Sequence, residues 1–388
     1  MSQPRVPATT PNKDPLRLPP RDRLVPSAWW NSPLPSHLWN SLIGTCLLVG
    51  LMLLSACGGQ ESREVLRFSS LGTLIEIRIT AAGDSDQRQA LQSARAAIEA
   101  IHEAWHPTHG SELGPLNEHL SRGEPMVVSQ ELIEVLKRAR AVERISDGKF
   151  SPAIGGLTEL WGFSSHTGPL EEPPAPEKLL EWVDKSPRLA DLKFNSENEV
   201  TTQNTAVQLD LGGIGKGSAA QQAIRALAEE GVKSAVVNIG GDLATRGLPE
   251  KGSTRHWRIG VRDPRSDAIL ATVEAAADEA VFTSGDYERA YEHDDRLYHH
   301  ILDPTTGYPA MGSRSVTVID ADPVLADAAA TALFIAGPEE WQELAQRLGI
   351  QYVLLIDSNG NVHITASMEE RTTMHNEASS IQVSSFKE

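Results

Sequence analysis

Between residues 64 and 80 apolar and polar positions alternate: Ile75, Ile77 and Ile79 stand between Glu76, Arg78 and Thr80. That period of two predicts a half-buried hairpin. Residues 84–105 and 129–146 instead repeat at helical spacing; Ser129 is placed to cap the second helix, and Glu131 and Glu134 suit its first turn. Further strands are predicted at 206–211, 234–239, 256–262, 269–275 and 313–319, helices at 216–229 and 322–336, and a hairpin over 351–364 around Asn359-Gly360. Residues 164–177 hold four prolines and read as a loop or lid. Strands and helices mix without a regular βα alternation, which predicts an α+β fold rather than a doubly wound one. The polar stretch 366–388 reads as a loose tail.

The chain has 388 residues, 40% hydrophobic, and a formal charge of −17. A core is affordable at that length, and an acidic surface argues against nucleic acid as a partner. The first 56 residues stand apart. A proline-rich flank with Arg5, Lys13, Arg17, Arg21 and Arg23 precedes an apolar run over 42–56, which is short for a membrane span. This reads as a cleaved secretory signal, with an uncleaved signal anchor as the alternative. Its end, Leu54-Ser55-Ala56-Cys57, resembles a bacterial lipobox, in which the cysteine thiol is acylated and becomes the new N-terminus. The expectation is a membrane-anchored lipoprotein facing the periplasm, with residues 57–64 as a tether and 65–365 as the working domain. Loss of the signal takes the charge from −17 to about −20 and removes Cys46, leaving lipidated Cys57 and no disulfide or thiol nucleophile.

The densest chemical signal is AVQLDLGGIGKGSAAQQAIRAL, residues 206–227. Its glycines fit neither the P-loop, since Lys216 is followed by Gly217, nor the dinucleotide fingerprint, since Gly213, Gly215 and Gly217 are evenly spaced. Glycine still permits close backbone approach, and successive N–H groups at a helix start form an anion site. Lys216 there is unfavourable beside the helix dipole unless an anion is present. A tight strand-to-helix turn with a solvated lysine would read the same.

Further segments reduce that ambiguity: Asn238-Ile239-Gly240-Gly241-Asp242, Thr283-Ser284-Gly285-Asp286-Tyr287, Tyr298-His299-His300-Ile301-Leu302-Asp303-Pro304, and Ala326-Asp327-Ala328-Ala329-Ala330-Thr331. With Gly148-Lys149-Phe150-Ser151-Pro152 and Ser111-Glu112-Leu113 they resemble, in order, the FAD:protein FMN transferase (ApbE) family, over nearly all of the chain after Cys57. The resemblance implies mixed sheets flanked by helices, with a cofactor cleft between subdomains. It also implies Mg²⁺-dependent transfer of FMN from FAD to a Thr or Ser hydroxyl of exported flavoproteins such as redox-pump subunits, with AMP released. The acceptor pattern is roughly Asp-Gly-x-Thr-Gly-Ala, and no copy of it occurs in this chain.

On this resemblance Leu71, Lys149, Phe150, Ser151, Asp210, Lys216 and Ile301 contact FAD. Asp327 and Thr331 hold the metal with the backbone at Gly213 and Ala330. His300 is the base, with Asp286 as second candidate or orienter, and His299 is bland. Leu71 stands in a slot usually filled by Met. Pro107 replaces a common aromatic, which makes Trp105 a candidate ring to take its place, and Ser218 replaces another. An FAD carrier or an FAD pyrophosphatase is the alternative reading.

Overall fold

In the computed structural model the described residues are 64–81, 86–106, 111–164, 172–249, 254–375 and 380–385. The signal segment, Cys57 and Pro107 lie outside them, as does 165–171 of the proposed lid. The chain opens with the hairpin β1 (Val65–Ser70) and β2 (Thr73–Ala81). Then come α1 (Gln87–Trp105), α2 (Leu113–Arg122), β3 (Met126–Val127), α3 (Gln130–Ile145), α4 (Gly155–Leu160), α5 (Pro176–Lys185), β4 (Leu192–Phe194) and β5 (Glu199–Thr202). The middle is α6 (Gly215–Glu229), β6 (Ser234–Ile239), β7 (Asp242–Arg246), β8 (Trp257–Arg262), β9 (Ile269–Ala275), β10 (Ala280–Gly285), β11 (Ala290–His293) and β12 (Arg296–His299). Last are β13 (Ser313–Asp320), α7 (Pro323–Leu348), β14 (Tyr352–Asp357), β15 (Val362–Thr365), α8 (Ala366–Glu369), β16 (Thr372–Met374) and β17 (Ile381–Ser384).

The main sheet runs β1-β2-β6-β7-β10-β13-β14-β15-β17, antiparallel except for the last pair. Its central strands are apolar on both faces, and the alternation sorts them into two cores. Phe282, Val316, Val318, Val353 and Leu355 point to the helix layer of α1, α6 and α7. Their neighbours Val281, Ile319, Leu354 and Ile356 point to the small sheet β16-β9-β8. This is the α+β architecture expected from the pattern. Local signals set the helix starts: Ser129 Oγ accepts from Leu132 N, Asp86 from Arg88 N and Gln89 N, and Asp322 from Val324 N. Pro323 occupies the first turn of α7.

Four expectations change. Residues 206–211 make no strand; a single parallel bridge, Ile154 to Gln208, is all that pairs there. Val207, Leu209 and Leu211 are buried in alternation, but their backbone is satisfied otherwise. The Asn117 amide donates to Leu209 O (2.9 Å) and accepts from Leu209 N (2.7 Å), and Asp210 N donates to Pro152 O. The helix begun at 322 continues to Leu348 across a break at Gly337, where φ is 69°. The tail is not loose over its described part: Met368 is fully buried, β16 pairs with β9 and β17 with β15. Helices α2, α4 and α5 were not foreseen; each is short.

Helices α6 and α7 cross so closely that only glycine fits between them. A Cβ on Gly217 would lie 2.3 Å from Pro323 O and 2.9 Å from Asp327 Cβ. Gly217→Ala is therefore expected to destabilise the fold by about 1–3 kcal/mol through overpacking, outweighing the gain of about 1 kcal/mol in helix propensity, because a backbone oxygen has no rotamer to yield. Thermal denaturation checks this; a raised Tm would contradict it.

Candidate active site

The glycine segments converge on one cleft of about 1510 Å³. On one side stand two hairpin turns, Leu71-Gly72 joining β1 to β2 and Gly240-Gly241 joining β6 to β7. The turns abut: Gly240 N donates to Leu74 O, and a Cβ on Gly240, whose φ is 65°, would strike the Thr73 hydroxyl at 2.4 Å. Leu71 itself has φ 52°, a left-handed conformation uncommon for a leucine, which turns the residue to the cleft wall. A further part of the wall comes from Lys149, Phe150 and Ser151, with α4 and the 206–213 segment. Behind it an aromatic cluster of Trp161, Phe163, Trp182, Tyr291, Tyr298 and Tyr308 forms its own small core.

At the floor lies a charged network. Lys216, on the first turn of α6, ion-pairs through Nζ with Asp242 Oδ2, and Thr283 N donates to Asp242 Oδ1 (2.8 Å). Gly217 N, one residue further, donates to Asp327 Oδ2 (2.7 Å). The cation at the helix start is thus answered by carboxylates from two other elements. Burial alone would lower the Lys216 pKa; Asp242, Glu288 and Asp327 instead hold it above the ordinary lysine value. Burial raises Asp327 to about 7 against the pull of Lys216, with Asp242 adding to the rise. Glu288, exposed at the cleft rim but partly desolvated by its neighbours, is raised in the same direction. Thr331, one turn along α7 from Asp327, has its hydroxyl 3.2 Å from Ser284 Oγ and faces Gly213.

The cleft brings together Leu71, Lys149, Phe150, Ser151, Asp210 and Gly213. It also holds Lys216, His300, Ile301, Asp327 and Thr331. Their details refine the expectation. Lys149 reaches Glu340 (3.2 Å), and Ser151 Oγ donates to Glu143, so both support the turn from behind. Asp210 accepts from Gly212 N (2.7 Å) and Thr158 Oγ1 (3.1 Å). His300 Nδ1 is buried without a hydrogen-bond partner. Burial first, then the positive charges of Arg289, His299 and Lys216, push His300 well below the ordinary histidine pKa, so the ring is neutral at pH 7. His299 points away: its Nδ1 accepts from Ile301 N and its Nε2 donates to Ala310 O. Trp105 lines the cleft, while Ser218 is buried and donates to Ile214 O.

One site residue needs correction. Asp286 does not line the cleft. Both its oxygens are held by Arg265 (2.8 and 2.6 Å), so it is not available as a base. Ala330, expected to contribute through its backbone, lies on α7 directly before Thr331 with its side chain buried. Conversely, Asp242, Tyr287, Glu288 and Arg289 line the cleft and were given no role from sequence. The signal existed for Asp242, a carboxylate directly after a glycine pair, and for Tyr287, which closes the Thr283–Tyr287 motif; Glu288 and Arg289 follow that motif with no pattern of their own.

A hard divalent cation fits this donor set. Among the described residues no three His, Cys, Asp or Glu side chains are placed to share a metal. The carboxylate of Asp327, the hydroxyl of Thr331 and the open backbone at Gly213 suit an ion that completes its shell with water and phosphate, as magnesium does.

Known proteins match this arrangement. A model of the ApbE family matches residues 71–354. An FAD:protein FMN transferase of Rhodobacter capsulatus is 34% identical over 330 residues, covering 84% of this chain but only 61% of that relative. One of Treponema pallidum is 30% identical over 354 residues, covering 86% of this chain and 95% of its own. The crystal structure of the ApbE protein from Thermotoga maritima superposes with a TM-score of 0.74 at 32% identity, covering 80% of this chain and 99% of that one. The flavin transferase ApbE from Vibrio cholerae gives 0.70 at 26% over the same shares. With its sequence matched over residues 71–354 and its architecture matched over 80% of its length with solved members, the chain belongs to the ApbE family.

Proposed function

We propose that the chain is an FAD:protein FMN transferase that moves FMN from FAD to a Thr or Ser hydroxyl of a partner flavoprotein, releases AMP and uses Mg²⁺. The observation that carries this reading is the meeting, in one cleft, of the glycine-lined start of α6, the Asp327–Thr331 pair of α7 and a neutral His300. Mg²⁺ held by Asp327, Thr331 and the Gly213 backbone would offset charge on the pyrophosphate. The chain's own groups do the rest. Leu71, Phe150 and Ile301 offer apolar surface to the flavin end, and Asp210 a hydrogen-bond acceptor. His300 takes the proton of the acceptor hydroxyl. That oxygen bonds to the FMN-side phosphorus, the bond from that phosphorus to the bridging oxygen breaks, and AMP leaves with the electron pair.

The family names of the relatives support the transferase reading. The lipobox-like ending at Cys57 supports a lipid anchor on the periplasmic side, which puts exported flavoproteins in reach. Among the described residues no helix is long and apolar enough to cross a membrane.

The test uses the chain from Cys57 with FAD, Mg²⁺ and a peptide containing Asp-Gly-x-Thr-Gly-Ala. Mass spectrometry is expected to find FMN on the threonine. AMP and free FMN without labelling would identify a pyrophosphatase; unchanged FAD, a carrier. His300→Gln is expected to lower kcat by about 10²–10⁴-fold while leaving FAD affinity within about twofold. Because the base is the unprotonated form and its pKa is depressed, the wild-type rate at saturating Mg²⁺ should be level from pH 8 through 6.5 and fall only in more acid solution. Loss of half the rate near pH 6.5 would remove His300 from that role.

A further inference from the structure

The small sheet β16-β9-β8 ends at β8, and the free edge of β8 runs into the reaction cleft. Gly260, Val261 and Arg262 line the cleft, while Trp257–Arg262 pairs on its other side with β9. Among the described residues no backbone hydrogen bond from another element reaches that edge. An unpaired strand edge is a ready template for another extended chain. The ladder with β9 shifts register between Val261 and Arg262, where the extra residue, Leu270, belongs to β9, so β8 itself stays extended; among the described residues no strand covers its outer edge, which adjoins the groups that would perform the transfer.

We infer that the acceptor's hydroxyl-bearing segment is an extended, acidic peptide that adds to the free edge of β8 as a fourth strand of the small sheet; this rests on the transferase reading above. Three observations select that occupant. The first is continuity: Arg262 lies over the Tyr287 ring (5.3 Å), and Tyr287, Glu288 and His300 line the same wall. The second is the face. Arg258, Gly260 and Arg262 alternate on the exposed side of β8, so alternate side chains of an added strand would share the cleft-facing side. Gly260 leaves a notch among them, where a Cβ would press on Ile269 at 3.1 Å. The third is charge. In a chain of −17, residues 255–265 hold four arginines against one aspartate. Arg262 and Arg265 are paired with Asp267 and Asp286, whereas Arg258 is exposed and forms no ion pair among the described residues.

The experiment compares the Asp-Gly-x-Thr-Gly-Ala peptide with a set methylated at one backbone nitrogen each. Addition to an edge predicts alternation: methylation at every second residue lowers kcat/KM for the peptide by about tenfold, and methylation between them has little effect. Arg258→Glu should raise the peptide KM about three- to tenfold with FAD affinity unchanged, and Arg258→Lys should restore most of it. Labelling with no alternation, or with equal loss at every position, overturns the inference and leaves the transferase reading intact. No labelling of the unmethylated peptide overturns both. A chain that changes from dimer to monomer on Arg258→Glu with unchanged peptide kinetics gives the edge to a second copy, and also overturns it.

Discussion

Replacing Asp327 by asparagine is expected to lower flavin transfer by at least about 10³-fold and, in metal-free buffer at pH 8, to raise thermal stability. The two effects share one cause. Asp327 is buried, with Asp242 and Glu288 nearby and Lys216 as a close cation, and its pKa rises from 3.8 to about 7. A carboxyl whose folded pKa exceeds its unfolded value stabilises the fold fully only below the unfolded value; stability is lost as pH rises from about 4 through about 7. Above that range the folded protein holds an ionised carboxylate that it solvates poorly. Asparagine keeps the shape and an oxygen for Gly217 N–H, now 2.7 Å from Asp327 Oδ2, and removes the charge. The cation that would use the charge loses its one anionic ligand. Activity with Mg²⁺ and Tm at pH 5 and pH 8 check both halves: full activity removes the metal assignment, and a Tm lowered equally at both pH values means the carboxylate is stabilising.

The same tension explains which features were legible in the sequence. The outer hairpin of the main sheet could be read because burial of one face leaves a period of two in β2, whereas β10, apolar and buried over Ala280–Phe282, leaves no such rhythm and was not expected as a strand. The cleft could be read because close approach demands glycine, and glycines at Gly213, Gly217 and Gly240 are visible as letters. Partnerships across the fold were not. Lys216 reads as an anion hook, but its head is bound to Asp242, 26 residues away. Asp286 reads as a base until Arg265 is seen on both its oxygens. Residues 206–211 have the alternation of a strand, yet an asparagine side chain supplies the pairing. β17 escapes because Ile381, Gln382 and Val383 are exposed, so docking at a sheet edge imposes no apolar rhythm.

Lys216→Met is expected to cost about 3–5 kcal/mol of stability without metal, on the order of 10 °C in Tm for a domain of this size. The half-buried lysine is the positive partner of two buried carboxylates, Asp242 and Asp327, and with exposed Glu288 they hold its pKa above the ordinary value. Removing it leaves two buried carboxylates, Asp242 and Asp327, without their cation, and Asp242 keeps only the Thr283 N–H on its other oxygen. Methionine fills the same volume, so a cavity does not account for the loss. Lys216→Met with Asp242→Asn should recover most of it, because the stranded charge rather than the lost attraction is the larger cost. Millimolar Mg²⁺ should also recover part in the single variant, since a divalent cation beside Asp327 substitutes for the missing ammonium. A loss under about 1 kcal/mol would mean that the pair behaves as a solvated surface bridge, and the floor of the cleft would then be wet rather than dry.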